Sequence, residues 1–129
     1  MTPTSTGARQ LIEQYLQALS GQRKTPDLVA EFVRDASLAT HIRDTEAAFP
    51  EYELIADDLI AERDLVAMRG TVRGVHRGPF AGIPPTGKTV SSPFMIVYRV
   101  RDNHIVEHWL QFDGAALVAQ LQPARAVGA

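Results

Sequence analysis

The chain has 129 residues, 45% of them hydrophobic, which is enough for one domain with a buried core and argues against disorder. Thirteen basic and fifteen acidic residues give a formal net charge of -2, which argues against a nucleic-acid partner. With no cysteine, disulfides, thiolate catalysis and cysteine-ligated zinc are excluded. No apolar run approaches the roughly 18 residues of a membrane span, and the first residues lack secretory-signal features. We therefore expect one cytoplasmic domain over residues 1–129.

Three segments in the first half of the chain have the pattern of helices. The first, from about residue 7 to residue 20, carries an apolar stripe that includes Tyr15. The second begins at Thr25, a capping hydroxyl that is followed by Pro26 and an acid. The third is capped by Asp35 or Ser37. The sequence therefore predicts three helices before any strand.

Beyond residue 50 the hydrophobic period changes from 3.6 to 2, which predicts strands over residues 52–61, 65–75, 90–101 and 105–113. Asp102 and Asn103 predict a two-residue hairpin turn, because both side chains tolerate the left-handed conformation. A loop rich in glycine and proline, residues 77–88, separates the second and third strands, and a short helix follows Gly114. Helices followed by an antiparallel meander predict an α+β fold.

The last strand decides which residues face the helices. If residues 102 and 103 form the turn, Arg101 faces His104, and the same register continued along the strand places Trp109 opposite Ile96. One face of the sheet then carries Met68, Val72, Ser92, Phe94, Ile96, Tyr98, Glu107, Trp109, Gln111 and Asp113, with His76 at the loop end. This mostly apolar face has the character of a pocket wall, and we expect the three helices to cover it.

The opposite face predicts a homodimer. It carries Val97, Leu110 and Phe112 among arginines, which is more apolar surface than a monomer needs to expose.

Asp113 is the candidate acid/base. Burial against an apolar face favours the neutral form of a carboxyl, which suits proton transfer near neutral pH. The alternative hypothesis is that Asp113 caps the helix that follows Gly114. The four histidines, His41, His76, His104 and His108, have no carboxylate at ligand spacing, so no metal site is predicted, and His41 is interpreted as a surface or half-buried residue.

Short stretches at residues 48–51, 58–62, 74–78, 82–88 and 105–109, with Asp113, carry a resemblance to a known family. The most specific are the Gly-Ile-Pro-Pro-Thr-Gly run at 82–87 and the spacing of Trp109 and Asp113. In this order they resemble the SnoaL-like polyketide cyclases, over about residues 38–122.

The resemblance implies a curved antiparallel sheet, the cone-shaped α+β barrel shared with ketosteroid isomerase, with three N-terminal helices that enclose a pocket in a dimer or higher oligomer. In such cyclases a strand aspartate, which Asp113 matches, acts as acid/base in an intramolecular aldol ring closure without a cofactor. Two departures are present: the segment between Val33 and Leu38 is short, and the third strand has no histidine, so His76 or Tyr98 would take its place.

We therefore predict a cofactor-independent cyclase or isomerase that acts on a ketone-bearing apolar molecule. The predicted catalytic residues are Asp113 and His76, and the predicted substrate-binding residues are Tyr15, Met68, Ser92, Phe94, Ile96, Tyr98, Trp109 and Gln111. The alternative is a non-catalytic small-molecule binding module with the same fold.

Overall fold

The computed structural model describes residues 5–122. Its elements follow in the order α1 (Ser5–Leu19), α2 (Pro26–Ala30), α3 (Ala36–Ala48), β1 (Glu53–Glu62), β2 (Leu65–Val75), β3 (Thr89–Arg101), β4 (His104–Phe112) and α4 (Gly114–Leu121). The predicted α+β class is confirmed, with a fourth helix after the sheet in addition to the three before it.

The helix starts follow from local capping chemistry. Thr25 accepts a hydrogen bond from the N–H of Leu28 at 3.2 Å, and Pro26 occupies the first position of α2. Asp35, rather than Ser37, caps α3 and accepts from the N–H groups of Ser37 and Leu38. These side-chain oxygens satisfy amide groups that have no partner inside the helix.

The four strands form one antiparallel sheet in the order β1-β2-β3-β4. Asp102 and Asn103 have φ values of 49° and 59°, so the predicted two-residue turn between β3 and β4 is confirmed. Between β2 and β3, Met68 pairs with Ile96 and Val72 pairs with Ser92. The sequence left this register open by two residues, but its prediction that Met68 and Val72 share the face of Ser92 and Ile96 is confirmed.

The predicted register of β4 is wrong beyond its first two residues. Arg101 pairs with His104 and Val100 pairs with Ile105, but Arg99 then pairs with Glu107. This bulge adds one residue to β4, and a slip of one residue exchanges the two faces of the strand. From the bulge onward the helix-covered face carries His108, Leu110 and Phe112 in place of Glu107, Trp109 and Gln111.

The main core lies between α1, α3 and the covered face of the sheet. Its largest fully buried side chains include Ile12, Tyr15, Met68, Tyr98 and Ile105. Among residues 5–122, no helix combines the length and the hydropathy that crossing a membrane requires.

Candidate functional site

A cavity of about 100 Å³ lies between α3 and the covered face of the sheet. Its wall is made mostly of apolar side chains from every layer: Leu38, Ile42, Phe49, Leu54, Val72, Phe80, Val90, Phe94, Ile96, Leu110, Phe112 and Leu117. The polar side chains on the wall are Tyr15, His41, Thr45, Tyr52, Ser92 and Tyr98. Because the wall contains no carboxylate, lysine or arginine among the described residues, the cavity suits a neutral, apolar ligand.

Tyrosines make up half of the polar side chains on this wall. Tyr15 on α1 and Tyr98 on β3 are 1% and 2% exposed, and their rings meet edge to face with centroids 5.7 Å apart. Their phenol groups lie close enough to influence each other's ionisation. Burial raises the pKa of Tyr15, of Tyr98 and of nearby Tyr52 above the ordinary range of a phenol. The three hydroxyls therefore stay protonated at neutral pH and can donate hydrogen bonds.

The pair of phenols has a proton to offer a ligand. A hydrogen bond between two hydroxyls uses only one of their two protons. Among residues 5–122, no third residue is a hydrogen-bond partner of the phenol of Tyr15 or Tyr98. A carbonyl oxygen in the cavity could accept the remaining proton, as in an oxyanion hole.

His41 on α3 is the imidazole on the cavity wall. Burial lowers the pKa of His41, and the charge of nearby His108 lowers it further, while Asp44 opposes both effects. His41 is therefore neutral at pH 7, which is the form that accepts a proton. Its ring lies 6.3 Å from the ring of Phe112, which lines the cavity although it is 48% exposed, so these two residues mark the mouth of the cavity.

Beside this mouth, Nδ1 of His108 donates a short hydrogen bond of 2.7 Å to Oδ2 of Asp35. Burial by itself would raise the pKa of Asp35, but its hydrogen bonds from His108, Ser37 and the Leu38 N–H hold that pKa below its usual range. Sequence reasoning missed both His41 and this pair. The signal available was Asp35 as a helix cap, but its contact to His108 spans 73 residues and depends on the bulge.

His76 is fully buried and lies on the predicted face, but it is not on the cavity wall. Its Nδ1 accepts from the N–H of Thr86 at 3.1 Å and lies 2.9 Å from the Thr86 hydroxyl. The His76 backbone also bonds to Lys88 and Gly87, so this residue holds the base of the 77–88 loop. The loop in turn places Phe80 on the cavity wall and against Phe49. The geometry thus gives His76 a structural task, and its predicted catalytic role remains a prediction.

Asp113 is exposed, and its Oδ1 accepts from the N–H of Ala116 at 2.9 Å. This is the helix cap that the sequence offered as the alternative. Asp113 stands between Phe112 and Gly114 at the mouth, not inside the cavity. The expectation that it lies buried on the covered face is therefore wrong, because the bulge turns Phe112 inward instead.

The other predicted binding residues divide into three groups. Tyr15, Ser92, Phe94, Ile96 and Tyr98 lie on the cavity wall, as predicted, although binding by them stays a prediction. Met68 is buried in the core on the same face but does not reach the cavity.

Trp109 and Gln111 form the third group, and their predicted place on the wall is wrong. Both point to the outer face of the sheet, where Trp109 is 48% exposed and pairs with Val97. Among residues 5–122, no group of three or more histidine, aspartate or glutamate side chains has the arrangement of a metal site.

The sequence profile of the SnoaL-like polyketide cyclase family matches residues 9–121. No curated protein matches the chain significantly. Among solved structures, AclR from Streptomyces galilaeus, a proposed hydroxylase, is 25% identical to this chain and superposes with a TM-score of 0.79. The match covers 96% of this chain and 87% of the AclR chain. IdmH from Streptomyces antibioticus, a proposed polyketide cyclase, is 27% identical with a TM-score of 0.71, covering 88% of this chain and 97% of its own.

A third structure shares the fold at lower identity. A proposed SnoaL-like polyketide cyclase from Jannaschia sp. CCS1 is 18% identical with a TM-score of 0.78, over 94% of this chain and 95% of its own. The profile covers most of the sequence, and the folds agree over nearly their whole lengths. The chain therefore belongs to the SnoaL-like polyketide cyclase family.

Proposed function

We propose that this chain is a cofactor-independent cyclase or isomerase for an apolar molecule that bears a ketone. The observation that carries the proposal is the Tyr15–Tyr98 phenol pair on the wall of an otherwise apolar cavity that has no charged group among the described residues. A neutral ketone would bind with its body against the apolar wall and its oxygen at the phenols. An acid or a phosphate would lose its hydration there without gaining a counter-charge.

The chemistry begins with removal of a proton from the carbon next to the carbonyl. The base takes the proton, and the electron pair of the C–H bond forms an enolate whose oxygen accepts hydrogen bonds from the phenols. In a ring closure the enolate carbon then attacks a second carbonyl of the same molecule, and the new alkoxide takes a proton. In an isomerisation the ketone carries a C=C bond next to that carbon, so the electron pair forms a dienolate, and the base returns the proton to the γ-carbon while the double bond moves into conjugation with the carbonyl.

Two residues are candidates for the base. His41 is neutral and lies on the cavity wall. Asp113 is the residue that the family resemblance assigns, and it stands at the mouth beside Phe112. We favour His41, because it reaches the cavity in the observed arrangement while the carboxylate of Asp113 faces α4 and solvent.

The test is exchange of the acidic α-protons of 2-indanone for deuterium in D2O, followed by NMR. We expect the protein to accelerate exchange and His41→Asn to lower the rate about 10²-fold, the usual contribution of a positioned base. Asp113→Asn, which keeps the helix cap, is the matched comparison. If the accelerated exchange is lost in Asp113→Asn and retained in His41→Asn, Asp113 is the base.

The binding-module alternative gives a different result in the same assay. Such a protein binds small apolar molecules but leaves the exchange rate at that of buffer. AclR is a proposed hydroxylase, so membership of the fold does not by itself choose the reaction. Acceleration lost in Tyr98→Phe would tie the chemistry to the phenol pair.

We further propose that the protein forms a homodimer through the outer face of the sheet. Ile60, Ala67, Val97 and Trp109 are paired in one row across all four strands. Ile60 is 69% exposed, and Met95 beside the row is 59% exposed. An apolar row of this length is more typical of an interface than of a solvated surface.

A further inference from the structure

Two elements that line the cavity, α3 and β4, are joined by a largely buried acid–base pair that the proposed chemistry does not use. Asp35 precedes α3, and His108 lies on β4. Oδ2 of Asp35 and Nδ1 of His108 are 2.7 Å apart, and their side chains are only 11% and 13% exposed. A polar pair with so little access to water needs well-formed partners, and here each residue supplies the partner of the other.

The second oxygen of Asp35 fixes the start of α3. Oδ1 accepts from the Ser37 N–H at 3.0 Å, the Ser37 hydroxyl at 2.7 Å and the Leu38 N–H at 3.2 Å. One carboxylate therefore holds the first turn of the helix and the imidazole of the strand at the same time. A carboxylate with this many donors has little freedom to turn away from either.

The seam between α3 and β4 continues from this pair to the mouth of the cavity. His41 follows Asp35 on α3, and Phe112 follows His108 on the same face of β4. The rings of His41 and Phe112 are 6.3 Å apart. Any shift of α3 along β4 would therefore change the Asp35–His108 bond and the place of His41 together.

We propose that Asp35 and His108 are positioning residues for His41: their 2.7 Å bond fixes the start of α3 against β4 and so sets where the His41 imidazole stands on the cavity wall. This inference rests on the proposed role of His41 as the base. His108 is not among the residues that line the cavity, so it acts through His41 and not on the ligand.

The charged groups near His41 shift its pKa in a defined direction, which the test can use. Two charged groups act on His41 among the described residues, His108 from β4 and Asp44 from its own helix. The positive charge of His108 opposes a second positive charge nearby, whereas Asp44 favours it. With His108 present, His41 therefore remains an unprotonated base further into acid than it would without that neighbour.

The test follows the histidine ring signals of the whole chain by NMR as pH is changed. His108→Asn keeps a nitrogen donor for Asp35 but cannot become charged. We expect the titration midpoint of His41 to move to higher pH in this variant. His104→Asn is the matched control, since His104 lies on the same strand and its ring bonds locally, to the Asp102 carbonyl at 2.7 Å. An unchanged His41 midpoint in His108→Asn would overturn the proposal.

A second variant covers the case in which His108→Asn does not fold. Asp35→Asn keeps a helix cap but exchanges the carboxylate that bonds to His108 for a neutral amide, which weakens the link between α3 and β4. We expect the ring signals of His41 to move at neutral pH while those of His104 stay in place, and unmoved His41 signals contradict the proposal.

The 2-indanone exchange rate separates the failure of this inference from the failure of the proposed function. If wild type exchanges the ketone, the acid limb of its pH–rate profile should move with the His41 midpoint in His108→Asn. If the limb stays in place while the midpoint moves, His108 does not position the base. If no exchange occurs at all but the midpoint still moves, the catalytic proposal falls while the coupling of the two histidines stands.

Discussion

Replacing Asp35 by alanine should destabilise the fold more than the loss of a surface carboxylate would. The substitution removes the cap of α3, which typically contributes about 1 kcal/mol. It also leaves Nδ1 of His108 without its partner in a position where the side chain is only 13% exposed, at a cost of about 1 to 3 kcal/mol. The free energy of unfolding should therefore fall by roughly 2 to 4 kcal/mol.

Asp35→Asn separates the two contributions, because asparagine caps a helix about as well as aspartate. We expect it to retain most of the cap and to lose about 1 kcal/mol. The control is Asp44→Asn on the same helix, where the exposed carboxylate lies 3.4 Å from Arg43 and should contribute less than about 0.5 kcal/mol. Urea unfolding followed by circular dichroism at pH 7 measures all four proteins.

The pH dependence of the Asp35 effect has a definite sign. The folded pKa of Asp35 is below its ordinary value, so the unfolded chain takes up the proton first as pH falls. The stabilisation is present above about pH 4 and is lost as pH falls through the folded value. The difference in the free energy of unfolding between wild type and Asp35→Asn should therefore become smaller as pH falls. Equal unfolding free energies for wild type and Asp35→Ala at pH 7 would refute the reasoning.

Three further predictions concern other parts of the molecule. Gly78→Ala should lower the free energy of unfolding, measured by urea titration, by about 1 to 3 kcal/mol or more, because its Cβ would overlap the Ala47 carbonyl oxygen. Gly114→Ala is the control and should lower it little, since the nearest side-chain atom is 3.6 Å away. Burial raises the folded pKa of Tyr98, so the neutral phenol contributes stability that is lost as pH rises from the unfolded pKa, about pH 10. Wild type should therefore lose more stability in alkali than Tyr98→Phe, and parallel melting curves of the two proteins would contradict this. Light scattering should find a dimer in wild type and a monomer in Trp109→Glu, and a wild-type monomer at micromolar concentration would exclude the outer face as an interface.

The parts of the fold that the sequence predicts well are those set by neighbouring residues. Thr25 and Asp35 cap helices because their side chains reach amides two or three positions away. Asp102 and Asn103 form the turn because both tolerate positive φ. The alternating pattern of β2 and β3 also places Ser92, Phe94 and Ile96 correctly on the cavity wall.

The site was predicted less well because one extra residue in β4 has no sequence signature. Val106 is an ordinary strand residue, yet the bulge beside it exchanges the faces of everything that follows. Trp109 therefore moved from the predicted wall to the outer face, and Phe112 took the inward position beside His41. The contact of Asp35 with His108 depends on the same register, so it could not be read from either residue alone.

The central claim is that the Tyr15–Tyr98 pair binds an oxygen atom of an apolar ligand, and a comparison of two probes tests it most directly. The affinities of 4-fluorophenol and fluorobenzene, which differ by one hydroxyl, can be measured by ¹⁹F NMR with wild type, Tyr15→Phe and Tyr98→Phe. We predict that wild type prefers the phenol, and that the preference falls about tenfold in the tyrosine variants, the equivalent of one hydrogen bond of about 1.4 kcal/mol. Equal affinity of wild type for the two probes, or a preference that survives in both variants, would contradict the account.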